Sequence, residues 1–275
     1  MISQIAIDMG GTNLRVARIE DGKIVKQLSE PCRAAGTETE VLEQFYRLID
    51  PLHHSQVTRI GVAVPSIVDY RKGIIYDMQN IPSWKEVPLK AILERRYGTE
   101  TIVDNDVNCF VNAERLYGSG RAFRNFVGIT LGTGVGGGIV IDGQVYRGID
   151  TGAGEIGCLP YLDGIYEDYA SSQLFKRWNT TGQAEAEKAG SGDEEAKRRW
   201  HEFGSHVGKL LQVILYTYNP EAIIIGGGIA QAYALFENEM LASMRSKFAY
   251  PGEAARVKVL FSKLKDCNIL GAAQL

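Results

Sequence analysis

The strongest constraint on the fold of this chain is a pattern of residues that occurs twice. In the first copy, IAIDMGGTNLRVARIEDGKIV (residues 5–25), an apolar run ends at Asp8, a Gly-Gly-Thr turn starts at Gly10, and Asp21-Gly22 separates two further apolar runs. An Asp-Gly pair between alternating apolar residues is a strong β-hairpin signal. The stretch therefore predicts three strands joined by a Gly-rich turn and a tight turn. It lacks the three spaced glycines before a helix that mark a dinucleotide site.

The second copy, FVGITLGTGVGGGIVIDGQVY (residues 126–146), has a Gly-Thr-Gly turn and an Asp-Gly pair in the same order. In the first copy the turn and hairpin glycines, Gly10 and Gly22, are 12 positions apart. In the second copy, Gly132 and Gly143 are 11 positions apart. Two such meanders at matched spacing predict an internal duplication, and hence two similar α/β halves that face one another.

The rest of the chain predicts helices and short buried strands around the two meanders. Apolar residues from Val41 to Ile49 fall on one helical stripe that ends near Pro51. Further helices are predicted over residues 87–97, 107–117 and 193–218 and at the C-terminus, and strands in RIGVAVP, ETIVDND, EAIIIG and VKVLF. The low-complexity stretch TTGQAEAEKAGSGD (residues 180–193) predicts a surface loop or part of an insertion between helices.

Composition and charge exclude several classes of protein. A chain of 275 residues can form one large domain or two smaller ones, and its net charge of -3 offers no basic surface for nucleic acid. No apolar run approaches the roughly 20 residues of a membrane helix, and the N-terminus enters a strand without a secretion signal. The four cysteines form no C-x-x-C pair, which excludes a zinc site built on paired cysteines. We therefore expect a cytoplasmic protein with reduced thiols.

Three Gly-rich turns follow predicted strands, at Gly10-Gly11-Thr12, Gly132-Thr133-Gly134 and Gly226-Gly227-Gly228. One such turn alone carries little information, because glycine is common wherever a tight turn needs positive φ. Three of them, two inside a duplicated meander, predict a nucleotide clamp whose backbone amides bind phosphate. Asp8, just before the first turn, could orient a hydrated Mg²⁺.

The stretch IVDNDVNC contains the candidate catalytic base. Asp106 lies where a predicted strand ends and a helix begins, so its carboxylate could be a helix N-cap. As a catalyst, it would accept the proton of a substrate hydroxyl that attacks a γ-phosphoryl group. Asp104 is the competing carboxylate, but a residue earlier in the strand is expected to face the core. We therefore favour Asp106.

Further polar residues could bind a sugar. Glu155 lies between glycines, and Glu167 and Asp168 begin a predicted helix. Paired carboxylates can accept hydrogen bonds from vicinal hydroxyls, but Glu167 and Asp168 could also be ordinary first-turn charges. Asn80, in the loop of YDMQNIPSW, could be a turn residue or a ligand for hydroxyls. The residue patterns leave both alternatives open.

Taken together, the motifs resemble those of the ROK sugar kinases. The motifs are D-x-G-G-T-N-x-R (Asp8 to Arg15), N-D-x-N (Asn105 to Asn108), LGTGVGGG, GEIG and GGGIA, in family order over nearly the whole chain. The resemblance implies the α/β actin-like ATPase fold, with two duplicated ribonuclease H-like domains around a central cleft. A smaller domain over residues 1–107 would be joined by a C-terminal helix at about 263–275, and residues 108–262 would form the larger domain.

The resemblance also implies roles for individual residues. The ATP-binding set would be Asp8, Gly10, Gly11, Thr12, Asn13, Arg15, Gly132, Thr133 and Gly134, with Gly227 and Gly228 near the adenosine. Asp8 would lie near Mg²⁺ and contact it through water. The sugar-binding set would be Asn80, Asn105, Asp106, Glu155, Cys158 and Glu167, with Asp106 also the catalytic base.

The chain departs from the family pattern in two places. Family members usually have His where this chain has Cys158, and only LPYLDGIY separates Cys158 from Glu167, so the Cys-rich zinc segment is missing. We therefore predict no zinc and a sugar pocket that differs on one side. Cys is a weaker hydrogen-bond partner than His.

These observations predict an ATP-dependent hexokinase that phosphorylates the 6-OH of glucose or a related hexose. Fructose, mannose, allose and N-acetylhexosamines are alternative substrates, and polyphosphate is an alternative donor. A repressor of this family would carry a helix-turn-helix before the first phosphate motif, and only seven residues precede Asp8. A non-catalytic sugar-binding relative is the third hypothesis, because Cys158 replaces a sugar contact. Expected partners are the sugar and ATP, with a possible homodimer and neither nucleic acid nor membrane.

Overall fold

The computed structural model of the protein describes residues 2–275. The first elements are β1 (Ser3–Met9), β2 (Asn13–Glu20), β3 (Lys23–Pro31), α1 (Glu38–Ile49), β4 (Val57–Val64), β5 (Ile67–Asp69), β6 (Ile74–Tyr76), β7 (Glu86–Val87), α2 (Leu89–Tyr97), β8 (Glu100–Asn105) and α3 (Asp106–Tyr117). They are followed by β9 (Phe126–Leu131), β10 (Val135–Ile141), β11 (Gln144–Tyr146), β12 (Pro160–Tyr161), β13 (Gly164–Ile165), α4 (Tyr166–Ala170), α5 (Ser172–Arg177), α6 (Gly182–Gly190) and α7 (Glu194–Tyr218). The last elements are β14 (Ala222–Gly226), α8 (Glu237–Arg245), α9 (Pro251–Arg256), β15 (Lys258–Phe261) and α10 (Cys267–Ala272).

The chain forms two compact units. The first contains the described residues up to Tyr117 together with Arg147–Ala153 and Leu264–Leu275, and the second contains Gly118–Tyr146 and Gly154–Lys263. The expected boundary between residues 107 and 108 falls inside α3, which lies wholly in the first unit. The segment Arg147–Ala153 also belongs to the first unit, although the chain on both sides of it belongs to the second.

Each unit contains a five-stranded sheet with the same topology. The strand order is β3-β2-β1-β4-β8 in the first unit and β11-β10-β9-β14-β15 in the second. In both sheets the first three strands form an antiparallel meander, and the first strand of the meander then pairs in parallel with a later strand. The repeated sequence pattern is therefore a repeated sheet, and the predicted pair of similar α/β halves is confirmed.

The two hairpin turns have the same backbone conformation. Asp21 and Gly22 have φ of 48° and 78°, and Asp142 and Gly143 have φ of 51° and 75°. Two consecutive positive φ values are typical of the type I′ turn, which matches the twist of the flanking strands. Asp tolerates this region better than most side chains, and Gly adopts it without steric cost. The Asp-Gly pairs thus define the second turn of each meander.

Helices cover the sheet of the first unit on both faces. The helix α1 buries Val41, Phe45 and Leu48, and its start is stabilised by a capping box between Thr37 and Glu40. The helix α10 packs at backbone distance, because a Cβ on Gly271 would lie 1.8 Å from the Cys109 carbonyl oxygen. Only glycine fits at this contact, which brings α10 directly onto α3.

The core of the second unit is built on the 25-residue helix α7, whose buried face includes Trp200, Phe203 and Leu211. For residues 180–193 the prediction of a surface loop is wrong, because Gly182–Gly190 form the helix α6. Its Ala, Glu and Lys residues have high helix propensity, and Thr181 caps the first turn by accepting the Ala184 N–H at 3.1 Å.

The low complexity of that segment therefore reflects a helix-forming composition. After the triple glycine, residues Ile229–Leu235 form a 3₁₀ segment. Across residues 2–275, every helix is too short or too polar to cross a membrane.

Candidate active site

The first Gly-rich turn connects β1 to β2 and is exposed at Gly11, Thr12 and Asn13. Its shape is set by two backbone hydrogen bonds, from Gly10 N–H to the Asn13 carbonyl at 2.9 Å and from Cys32 N–H to the Thr12 carbonyl at 2.8 Å. A Cβ on Gly11 would lie 3.1 Å from Nδ2 of Asn80. The Asn80 amide therefore lies against the turn, which brings a predicted hydroxyl ligand next to a predicted phosphate site.

Asp8, near the end of β1, is 5% exposed, and both of its carboxylate oxygens accept hydrogen bonds. Its Oδ2 accepts from the Arg15 guanidinium, with Nε at 3.0 Å, and its Oδ1 accepts from Nδ2 of Asn268 at 3.1 Å. Arg15 also pairs with Asp266 at 3.2 Å. The guanidinium that the motif placed among the ATP ligands thus binds two carboxylates, and its contact with ATP stays a prediction.

The residues around Asp8 fit a hydrated Mg²⁺ better than a directly coordinated one. A carboxylate offers about four acceptor directions, and Arg15 and Asn268 use most of them. Among residues 2–275 there is no group of three or more His, Cys, Asp or Glu side chains that could hold a metal ion. Mg²⁺ in kinases keeps several waters and is held mainly by phosphates, so one remaining acceptor on Asp8 suits contact through water.

Asn105 provides the N-cap of α3. Its Oδ1 accepts from the backbone N–H of Val107 at 2.8 Å and of Asn108 at 3.3 Å, and its Nδ2 donates to the Ser66 carbonyl at 3.3 Å. The capping role that was an alternative for Asp106 is therefore performed by its neighbour. Asp106 is the first residue of the helix and is half-buried.

Asp104 is fully buried, which confirms the expectation that it faces the interior. Its Oδ1 accepts from the Asn105 N–H at 2.8 Å and from Nδ2 of Asn108 at 3.0 Å, and its Oδ2 accepts from Nε of Arg147 at 2.7 Å. Burial raises the pKa of the Asp104 carboxyl, and the charge of Arg147 opposes that shift. Asp104 therefore holds the first residues of α3 in place through its hydrogen bonds with Asn105 and Asn108.

The second Gly-rich turn, between β9 and β10, is held by the start of α5. Ser172 N–H donates to the Gly132 carbonyl at 2.9 Å, and Nε2 of Gln173 donates to the Thr133 carbonyl at 3.3 Å. In a trans peptide the N–H points opposite to the carbonyl. The amides of Thr133 and Gly134 therefore point away from α5, which is the arrangement that an anion-binding turn needs.

Glu167 lies directly against this turn. Its Oε2 accepts from the Val135 N–H at 2.9 Å, and a Cβ on Gly134 would lie 2.3 Å from that oxygen. Asp168 has the local role instead, because its Oδ2 accepts from the Ile165 N–H at 3.0 Å at the start of α4. The two adjacent carboxylates, which the sequence could not separate, thus point to different partners.

Glu155 and Cys158 form a second pair of predicted sugar contacts, with the Cys158 thiol 3.8 Å from Oε2 of Glu155. Burial raises the pKa of Glu155, the Cys158 thiol lowers it and the charge of Glu167 raises it further. Burial also raises the pKa of the Cys158 thiol, and both carboxylates add to that shift. Both residues are exposed, so the desolvation is confined to their inner atoms, and the charge of Glu167 acts on both groups within the second unit.

The segment between Cys158 and Glu167 is a two-stranded hairpin, β12 and β13, packed on aromatic rings. Tyr161 stacks on Tyr166 with ring centroids 4.2 Å apart, and its hydroxyl lies 3.0 Å from Nδ1 of His206. These contacts position the short segment that replaces the family's Cys-rich one. The absence of zinc stays a prediction.

The third Gly-rich turn follows β14. Gly227 has φ of +90°, and a Cβ there would lie 2.3 Å from the Leu131 carbonyl oxygen, so both backbone conformation and packing require glycine. Gly228 has no atom within 4 Å of an added Cβ, so it faces open space. Contact of either residue with adenosine stays a prediction.

Four residues of the site were not found from the sequence: Asn268, Arg147, Ser172 and Gln173. Asn268 reaches Asp8 across 260 positions, and Gln173 reaches Thr133 across 40. No local pattern marks such residues, because each acts through a contact that the fold creates.

Comparison with known proteins places the chain among sugar kinases and their relatives. The model of the ROK family matches residues 4–275. The glucokinase of Thermotoga maritima is 28% identical, covering 98% of this chain and 96% of its own length. The xylose repressor of Bacillus spizizenii is 26% identical, covering 83% of this chain and 65% of its own length.

A solved structure supports the same conclusion at the level of the fold. The ROK family glucokinase from Streptomyces griseus, in complex with glucose and AMPPNP, has a TM-score of 0.86 at 24% identity, covering 99% of this chain and 98% of its own. Structures of this kind have the actin-like ATPase fold, so the predicted fold class is confirmed. The resemblance seen in the motifs is confirmed as well: this chain belongs to the ROK family.

Proposed function

We propose that this protein is an ATP-dependent sugar kinase that transfers the γ-phosphoryl group to a hexose hydroxyl, with the 6-OH of glucose as first candidate. The observation that carries the proposal is the contact between Asn80 and Gly11. Phosphoryl transfer needs the acceptor hydroxyl beside the phosphate, and here a hydroxyl-binding amide lies against a turn suited to phosphate. The glucokinase of Thermotoga maritima supports the choice of sugar.

In this proposal Asp106 accepts the proton of the attacking hydroxyl. Its place at the first position of the 12-residue helix α3 favours the ionised carboxylate, because the helix N-terminus carries a partial positive charge. Asn105 supplies the cap of α3 by accepting from the Val107 N–H. A half-buried carboxylate at the start of a helix is suited to accept a proton from a bound hydroxyl.

The remaining groups bind and orient the substrates. The amides of the Gly10 and Gly132 turns would hold phosphate oxygens, and Asp8 would contact Mg²⁺ through water. Bound with ATP, Mg²⁺ would offset the negative charge of the phosphate oxygens. Glu155 and Glu167 would accept hydrogen bonds from sugar hydroxyls, since ionised carboxylates are acceptors only. Mannose, fructose, allose and N-acetylhexosamines differ from glucose at single groups, so they belong in the test.

The test is ADP release with Mg-ATP against a panel of hexoses and N-acetylhexosamines, in the wild type, Asp106→Asn and Asp142→Asn. Asp142 is an exposed residue of the β10–β11 turn with φ of 51°, a conformation that Asn also adopts readily, so this variant is the matched control. We expect Asp106→Asn to lower kcat by about 10²- to 10⁴-fold and the control to leave it unchanged.

Two results would overturn parts of the proposal. Asp106→Asn with at least about a tenth of wild-type kcat would exclude Asp106 as the base, given the usual contribution of such a group. No turnover of any sugar by the wild type, with sugar binding still seen by calorimetry, would point to a sugar sensor.

A further inference from the structure

We propose that Arg147 is a positioning residue for Asp106, acting through the buried carboxylate of Asp104. This inference rests on the proposed function, in which Asp106 is the base. Arg147 is outside the motifs that suggested that function and lies 43 positions from Asp104.

The ion pair between Arg147 and Asp104 is well suited to hold the Asp104 side chain in one orientation. Nε of Arg147 lies 2.7 Å from Oδ2 of Asp104, whose side chain is fully buried. The guanidinium lies over the ring of Tyr70, 4.2 Å from its centroid, so it is held on its flat face as well. A buried ion pair contributes little net stability, but removing one partner leaves an uncompensated charge, so the pair strongly favours one arrangement.

Asp104 is hydrogen-bonded to residues on both sides of Asp106, so its orientation affects their positions. Its Oδ1 accepts from the backbone N–H of Asn105 and from the side chain of Asn108. Asn105 in turn caps α3 through the N–H groups of Val107 and Asn108. A shift of Asp104 would therefore move the cap and the first turn of α3 together.

Arg147 is itself fixed by its own segment. Residues Arg147–Ala153 belong to the first unit, and Thr151 anchors them by accepting from the Val68 N–H at 2.8 Å and donating to the Val68 carbonyl at 3.2 Å. Thr151 is buried with φ of +54°, a strained conformation for a β-branched residue. Strain of this kind persists where the surroundings hold the backbone in place. The backbone that carries the Arg147 side chain is therefore held in one position.

The experiment compares Arg147→Met, Arg147→Lys and the double variant Arg147→Met with Asp104→Asn. Asn at position 104 keeps an oxygen acceptor for Asn105 and Asn108 but carries no charge that needs Arg147. Arg124→Met, which removes an exposed guanidinium 3.5 Å from Asp142, is the matched control. Each variant is assayed for kcat, for KM of ATP and sugar, and for amide hydrogen exchange over residues 105–110.

We expect Arg147→Met to lower kcat by about 10- to 100-fold, as for a misplacement of about 1 Å, with KM for ATP little changed. Exchange over residues 105–110 should become faster, while that over β14 stays the same. The double variant should recover most of the protection and most of kcat, and Arg147→Lys should fall between. The control should match the wild type.

Wild-type exchange over residues 105–110 in Arg147→Met would overturn the inference whether or not the protein is a kinase. Unchanged kcat in a folded Arg147→Met would also overturn it, provided that the wild type turns over sugar. A wild type without turnover would defeat the proposed function alone, because the exchange measurement still tests the link from Arg147 to α3.

Discussion

Replacement of Gly134 by Ala tests whether Glu167 is held against the second Gly-rich turn. The added Cβ would lie 2.3 Å from Oε2 and 2.9 Å from Cδ of Glu167, whereas ordinary contacts begin at 3.4 Å. The backbone at Gly134 has no positive φ, so Ala suits the local conformation and the clash is the main effect. The carboxylate must retreat by about 1 Å, which breaks its 2.9 Å hydrogen bond with the Val135 N–H.

The size of the effect follows from that bond. A hydrogen bond to a charged acceptor contributes about 1.5–3 kcal/mol, and partial exposure of Glu167 puts this one at the low end. Ala also lowers the conformational entropy of the unfolded chain relative to Gly, which stabilises the folded protein by about 0.4–1 kcal/mol. We therefore expect Gly134→Ala to lower the free energy of unfolding by about 1 kcal/mol, or Tm by about 2–4 °C. If Glu167 binds a sugar hydroxyl, kcat/KM for sugar should fall about 10- to 150-fold.

Thermal unfolding and steady-state kinetics measure the two effects, with two comparisons that isolate the cause. Gly132→Ala is the stability control, because a Cβ there meets no atom within 4 Å. Its Tm should equal or exceed that of the wild type. In a Glu167→Ala background the clash is gone, so adding Gly134→Ala should cost nothing more. Additive losses in the double variant would refute the role given to Glu167.

Two further predictions concern the thiol at the candidate site and the packing of α10. Alkylation of Cys158 by iodoacetamide, followed by peptide mass spectrometry, should reach its maximum rate at a higher pH than for an ordinary thiol, because partial desolvation and two carboxylates raise its pKa. Glu155→Gln should shift that rate profile to lower pH, and an unmoved profile would contradict the proximity. Gly271→Ala should destabilise the protein by about 3 kcal/mol in urea unfolding, since its Cβ would lie 1.8 Å from the Cys109 carbonyl oxygen. Gly190→Ala, with no atom within 4 Å, should not, and equal midpoints for the two variants would refute the packing argument.

The fold could be predicted where its signals are local. Each meander carries its own Asp-Gly hairpin, and the positive φ values at Asp21 and Asp142 show that the pairs act as the sequence suggests. The amphipathic stripe of α1 and the long apolar face of α7 are equally local. The failure at α6 has the opposite cause, because a short, polar, Ala- and Glu-rich helix lacks an apolar stripe to reveal it.

The candidate site could be predicted only in part, because its residue types are local but their partners are not. The Gly-rich turns and the carboxylates could be identified by their positions after strands. Which of Glu167 and Asp168 faces the turn depends on how α4 docks against β10, and nothing in two adjacent carboxylates distinguishes them. Likewise, the sequence does not show whether Asn105 or Asp106 caps α3. The choice of Asn105 depends on the angle at which α3 leaves β8.

The duplicated turns show that the repeat encodes a backbone shape, while residues outside the repeat determine its chemistry. The first turn is backed by the neutral amide of Asn80, and the nearby carboxylate of Asp8 is paired with Arg15. The second turn is backed by the carboxylate of Glu167, which accepts the Val135 amide next to it. An anion approaching the first turn meets compensated charge, whereas one approaching the second meets a carboxylate already using a neighbouring amide. Two turns that are nearly equivalent in sequence therefore have different electrostatic surroundings. The neighbouring residues that account for the difference are Asn80 and Asp8 at the first turn, and Glu167 at the second.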